Sequence, residues 1–418
     1  MAEIPTNTIF DAIIIGAGIM GSCVAYEISK LNKKVLLLEQ FDLLHHLGSS
    51  HGESRTIRAT YPEPYYPPMV LESSLLWESA QSAAGYRVLT PTTQLDLGPS
   101  NSPSLQSVIL NCSPDSLPAT IFDSQKTLIS GAFRLPDDWI ALSTPLGGVI
   151  KPTKAVAMFH SLAVRHGAVI RDCTVVDAII PIAGVGIRVS TTDGRLFHGI
   201  KCVVTAGAWT SKLVKMVTGQ DLPIQPLHTL IWYWKITEGF ESEMTPAAGF
   251  PTFASYGLPY VYGTPAMEFP GLIKIAVHAG WPCDPNCRDW SLEADEMVAR
   301  VAEWIERVMP GRIETAIGPV MKQSCMYSMT PDEDFVIDFM GGEFGKDVVL
   351  AGGFSGHGFK MAPLVGKMVA EMVIGGEAQT AERIGVDSRV FGLGRFEGGG
   401  KGNLKEFGDQ VKFHLGAE

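Results

Sequence analysis

"DAIIIGAGIMGSCVAYEISKLNKKVLLLEQF", Asp11 to Phe41, is the stretch that decides the fold. Its first apolar run, Ala12 to Ile15, does not alternate with polar residues, as expected of a strand covered on both faces. Gly16, Gly18 and Gly21 follow at G-x-G-x-x-G spacing. Val24, Ala25, Ile28 and Leu31 then recur at helical intervals, and Val35 to Leu38 reads as a second buried strand ending in Glu39. The three glycines differ in what they permit. Gly16 allows a tight turn, Gly18 lets backbone approach a pyrophosphate, and Gly21 lets the helix lie close to the strand. The unpaired N–H groups and the dipole at the helix start favour the diphosphate's negative charge. Glu39 lies 23 residues after Gly16, where a carboxylate accepts from ribose hydroxyls, with Gln40 beside it. Strand, glycines, helix, strand and terminal Glu in this order point to dinucleotide binding. The fingerprint leaves FAD and NAD both open. No second such unit follows, so one dinucleotide is the simpler expectation.

The rest of the chain sets limits. Its 418 residues predict two lobes rather than one core. A net charge of -11 speaks against a nucleic-acid partner. No apolar run reaches the roughly 18 residues of a membrane span, and the N-terminus shows no basic, apolar leader. Seven cysteines without dense spacing predict free thiols. Cys283 and Cys287 lack the second Cys/His pair that a zinc site needs, so no metal is expected.

Beyond the fingerprint, Pro152 starts a predicted helix, an Asp193-Gly194 turn predicts a hairpin, and Cys202–Val204 followed by Gly207 suits backbone passing close to a cofactor. Residues 80–145 and 220–320 are rich in Pro and aromatics, with strand-like runs such as "LIWYWKI" (230–236) and "LIKIAVHAGW" (272–281). The expected class is α/β: a Rossmann-type lobe of 1–80, 146–220 and 321–391, with an antiparallel-sheet lobe of 81–145 and 221–320 inserted into it. Residues 392–418, rich in glycine and charge, are expected to form a surface arm without a fold of its own.

Two further stretches carry unusual chemistry. "SSHGESRTIR" (49–58) packs His51, Arg55 and Arg58 among small residues, either as a solvated turn or as part of a site. "VVLAGGFSGHGFKMAP" (348–363) is a strand, a glycine-rich turn and a helix start, with Lys360 just inside that helix. Its spacing fits no pyrophosphate fingerprint. A helix start here suits a different electron-rich group.

"GAGIMG" (16–21), "SSHGESRTIR", "CMYSMTPDEDFVID" (325–338) and "GGFSGHGFK" (352–360) occur in this order over nearly the whole chain. Together they resemble the monomeric sarcosine oxidase family of amine oxidases, which includes N-methyltryptophan and pipecolate oxidases, and most of all its plant sarcosine/pipecolate group. The resemblance implies a glutathione-reductase-like FAD lobe, with FAD held covalently by Cys325. It places Ser50, His51 and Arg55 beside the flavin, Val176 on the adenine side, and Gly356 and Gly358 near the ring. Arg58 and Lys360 match the pair that grips the substrate carboxylate. Tyr262 and His278 match residues near the substrate amine, and Lys274 matches the lysine that activates oxygen. The implied reaction takes a secondary amino acid, of sarcosine or L-pipecolate class, to an imine and reduces O2 to H2O2, in a monomer. Two rivals are an FAD-dependent dehydrogenase with another acceptor and a silent FAD-binding protein. The family is often peroxisomal. The C-terminal Gly-Ala-Glu is not a Ser-Lys-Leu-type address, which would leave the cytosol.

Overall fold

The computed structural model describes residues 8–123 and 131–397. Most of the 392–418 segment therefore lies outside the described residues. The chain folds around two sheets with mixed strand directions.

The first sheet runs, in spatial order, Val336–Phe339, Val348–Gly352, Leu196–Val204, Ile9–Ile15, Val35–Leu38 and Val169–Arg171. Its inner pairs are parallel, with Ile13 opposite both Cys202 and Leu36. A Val176–Ile182/Gly186–Thr191 hairpin extends it. The apolar runs are fully buried because helices cover the sheet: Ile13, Ile14, Leu36, Leu37, Val203 and Val349 are inaccessible. Helix Ile19–Ser29 is buried nearly all round, between the sheet and helices Pro152–Arg165 and Ala362–Gly375. Its lack of a polar face follows from that sandwich.

The second sheet runs Trp281–Pro282, Gln225–Lys235, Leu272–Val277, Val261–Thr264, Thr252–Ser255, Leu89–Pro99, Trp139–Ile150 and Arg55–Arg58. Thr252–Ser255 and Leu89–Pro99 pair in parallel, so this sheet is mixed rather than wholly antiparallel. Helix Asp295–Val308 packs one apolar stripe against it (Met297, Val301, Trp304, Ile305 and Val308), with Trp304 stacked on Phe253 at 5.8 Å.

Two segments lie elsewhere than the expected boundaries put them. Arg55–Arg58 pairs with Trp139–Ile150, and Met321–Met329 pairs with Gln225–Lys235 over nine residues, so both belong to the second sheet. Flanking context drew them toward the nucleotide lobe, whereas long-range register draws them away. The expected loose arm also needs correction at its start. Leu393 N donates to Asp338 Oδ2 at 2.8 Å, and Arg395 forms a buried pair with Asp332 at 2.8 Å. Thus 392–397 dock on the 330–338 turn.

Candidate active site

The first strand–helix turn shows why glycine is needed. Gly16 has φ +100°, and a Cβ there would lie 2.5 Å from Thr205 O. A Cβ at Gly21 would lie 2.0 Å from Gly16 O. Gly18 caps helix Ile19–Ser29, and Ser50 Oγ accepts from Ile19 N at 3.1 Å, taking one of the helix's free amides. Glu39 accepts from Ala17 N at 2.8 Å and Phe41 N at 3.1 Å, one amide on each oxygen. Each oxygen keeps acceptor capacity for a ribose hydroxyl.

Gly16, Gly18, Ile19, Ser50 and Thr205 line a trough of about 410 Å³. Glu39, Gln40 and Val176 stand along it, and Ser50, Gly207 and Gly358 line it further along. A second cavity of about 220 Å³ opens beside it under the second sheet. Arg55, Cys325, Tyr327, Gly356 and Phe359 line both. At this junction Arg55 Nη2 donates to the buried Cys325 Sγ at 3.3 Å and to the carbonyls of Ser49 and His51. A Cβ at Gly356 would lie 2.9 Å from the Tyr327 ring, so the wall there is bare backbone.

Arg58, Tyr262, Lys274, His278 and Lys360 all line the second cavity. Arg58 Nη1 donates to Thr60 O and, at 3.3 Å, to Tyr256 Oη, with its guanidinium over the Tyr61 ring at 4.6 Å. Burial opposes its charge, but Tyr256, Tyr61 and Asp96 outweigh burial and hold it protonated. Asp96 is fully buried behind it, and burial lifts its carboxyl pKa to about 6. Lys360 Nζ donates to Tyr61 Oη at 2.8 Å and to His357 O at 2.9 Å.

Lys274 is 2% exposed and donates to Ser54 O and Oγ, both at 3.2 Å. Burial first, then the Arg55 charge, lowers its pKa to about 8. His278 lies just past the Leu272–Val277 strand, its ring 5.2 Å from that of Tyr327. His51 meets the junction through its backbone, whose carbonyl accepts from Arg55 Nη2 at 2.8 Å, while its side chain lines neither cavity and packs edge-on to His46 at 5.5 Å. Burial and Arg55 lower its pKa to about 3, so its ring is neutral.

Sequence reasoning missed Tyr61, Asp96, Tyr256, Tyr327 and His357. Two of these, Tyr327 and His357, lie inside motifs already noted, at "CMY" and "GHG". The others gave no local signal.

The trough, the glycine turn and the shared junction define a dinucleotide-dependent redox enzyme with an adjoining substrate chamber. Residues 11–372 match the model of the DAO family, described as FAD dependent oxidoreductase, and the chain belongs to that family. It is 55% identical over 406 residues to a probable sarcosine oxidase of Arabidopsis thaliana, covering 96% of each chain. It is 35% identical to a peroxisomal sarcosine oxidase of Homo sapiens, covering 87% of this chain and 92% of that one. A monomeric sarcosine oxidase of Bacillus sp. (strain NS-129) is 31% identical over 93% of this chain and 97% of its own. Among solved structures, L-proline dehydrogenase from P. horikoshii superposes with a TM-score of 0.77 at 22% identity, covering 94% of this chain and 99% of that one. At that identity the likeness concerns the fold.

Proposed function

We propose that this chain is an FAD-dependent oxidase of secondary amino acids, of the sarcosine or pipecolate class, releasing an imine and H2O2. The observation that carries it is a chamber with Arg58 and Lys360 on its walls, sharing Cys325, Tyr327 and Gly356 with the dinucleotide trough. The residues present fit FAD: an amide-rich helix start for the diphosphate, Glu39 for ribose, and a bare-backbone wall for the ring. When bound, FAD supplies the acceptor for the electron pair removed from the carbon beside nitrogen and passes that pair to O2.

The chain's own groups do the rest. Arg58 grips the substrate carboxylate through two donors, and Lys360 adds a point charge. Tyr262 and His278 orient the amine. Lys274, a buried cation near the junction, supports O2 as the final acceptor over another electron carrier. Cys325, a buried thiol at the junction beside Arg55, is placed for a thioether to the flavin. The similarity to a monomeric relative supports a monomer. No helix of the described residues is long and apolar enough to cross a membrane. The peroxisomal names of the Homo sapiens and Mus musculus relatives support a peroxisomal site.

The test is peroxide release over N-methyl and cyclic amino acids, with dimethylamine as the carboxylate-free control. Oxidation of sarcosine or L-pipecolate, with little of dimethylamine, is the expected result. Equal turnover of dimethylamine would remove the carboxylate clamp.

A further inference from the structure

A buried histidine is bonded to the glycine turn without lining the trough. His160 lies on helix Pro152–Arg165, which packs against helix Ile19–Ser29, and it is 8% exposed. Its Nε2 is 3.0 Å from Ala17 O, the carbonyl between the first two fingerprint glycines. A carbonyl only accepts, so Nε2 carries a hydrogen and donates it. This holds whether the ring is neutral or charged. Ser22 Oγ also lies 3.1 Å from Ala17 O, but its single hydrogen has a shorter path to Gly18 O, at 2.7 Å. His160 is thus the main donor to this carbonyl.

The consequence lies on the other side of the same peptide. The Ala17–Gly18 bond is trans. In a trans peptide the C=O and the following N–H point in opposite directions. Fixing Ala17 O toward His160 therefore turns the Gly18 N–H away from His160. Gly18 lines the trough and His160 does not. The next amide, Ile19 N, is already given to Ser50 Oγ at 3.1 Å. The direction of the Gly18 amide therefore matters more for an anion at this helix start. The preceding peptide is fixed as well, since Ala17 N donates to Glu39 Oε2 at 2.8 Å. One end of Ala17 is held by the carboxylate that faces the ribose, and the other by His160.

We propose that His160 is a positioning residue for the cofactor: its Nε2–H, acting through Ala17 O, aims the Gly18 amide at the diphosphate of FAD. The glycines make the turn possible, and a side chain 143 residues away from Ala17 sets which way its amide faces. This role is independent of which amine the enzyme oxidises.

The experiment uses the flavin-loaded full-length chain and has two readouts. The first is the phosphorus NMR spectrum of the bound diphosphate. The second is the rate of FAD release on dilution in a Cys325→Ala background, where no thioether can hold the flavin, followed by the rise in flavin fluorescence. His160→Phe keeps a ring of similar volume and loses the donor. It should move the diphosphate resonances toward those of free FAD and speed release about tenfold, the effect of one buried hydrogen bond. The visible flavin band should stay in place, because the ring end of the trough is untouched. His160→Gln, whose side-chain amide can donate to the same carbonyl, should restore both readouts. If His160→Phe does not fold, His160→Asn takes its place with the same expectations, because its amide is too short to reach Ala17 O. Wild-type resonances and release rate in the variant without a donor would overturn the proposal. So would a Gln variant as altered as the Phe one, which would make ring shape the determinant. A visible band that shifts together with the diphosphate would mean that His160 merely props the lobe, and would overturn it too.

Discussion

Cys325 and Lys274 show how placement gives a residue its chemistry. Both are buried near the junction, yet one offers a nucleophilic sulfur and the other a cation. Cys325→Ala should leave a folded protein whose flavin is fully extractable by acid, while wild type keeps its yellow colour on the precipitated chain. Colour released from wild type would sink the thioether. For Lys274 the expected effect has a pH signature. Its pKa is lowered to about 8, so it is a cation below that value and neutral above it. Flavin reoxidation by O2 should be fastest below about pH 8 and decline as pH rises through it. Lys274→Met should lie low at all pH, slower by about a hundredfold for a loss of ~3 kcal/mol of charge stabilisation. Lys274→Arg should flatten the profile. Stopped-flow traces of the two half-reactions separate this from anaerobic reduction, which should change much less.

At the scale of the element, the strand–turn–helix at Ile9–Ser29 is limited by backbone contact. A methyl at Gly21 would sit 2.0 Å from Gly16 O and 2.6 Å from Thr205 Oγ1, so the helix must move away from the strand. Gly21→Ala is expected to destabilise by about 1–3 kcal/mol, as overpacking does. It should also lower flavin content, because the displaced amides no longer meet the diphosphate. Denaturant unfolding and the ratio of flavin to protein absorbance read the two effects. Unchanged flavin content would mean that the helix start does not hold the cofactor. This element was legible in the sequence because its determinants are close together: two strands, a helix and three glycines within Asp11–Glu39. The sequence pattern puts Lys360 just inside a helix. It sits instead in a short 3-10 turn, Phe359–Met361, before helix Ala362–Gly375, and that turn brings His357 O to Nζ.

Over the whole molecule, the C-terminal segment braces the chamber from outside. Arg395 pairs with Asp332, with side chains 8% and 2% exposed, and also donates to Asp334 O at 3.1 Å. The Asp334 carboxylate receives the hydroxyls of Tyr65 and Tyr66, at 2.7 Å for each, and Tyr66 lines the chamber. A chain of contacts thus joins the tail to the substrate wall. Arg395→Ala leaves Asp332 buried without its partner, which should cost about 3–5 kcal/mol. A double-mutant comparison with Asp332→Asn, read by denaturant midpoints, should recover part of that loss. Strictly additive effects would show that the pair contributes nothing as a pair.

Local sequence determined the nucleotide lobe, since a buried parallel strand, a glycine turn and an amphipathic or enclosed helix each leave a pattern in neighbouring residues. Two of the quoted motifs contain Arg58 and Lys360, which both line the chamber. Only the tertiary structure decided which sheet owns Arg55–Arg58 and Met321–Met329, because pairing Thr229 with Cys325 is a choice of register between distant strands. It alone turned the His51 ring out of both cavities, brought Asp96 behind Arg58, and docked Arg395. It also set the His357 ring between the carbonyl of Glu333 and the hydroxyl of Tyr61, 296 residues away. A side chain's protonation depends on what encloses it, and enclosure arises from contacts between segments that carry no periodic mark of one another.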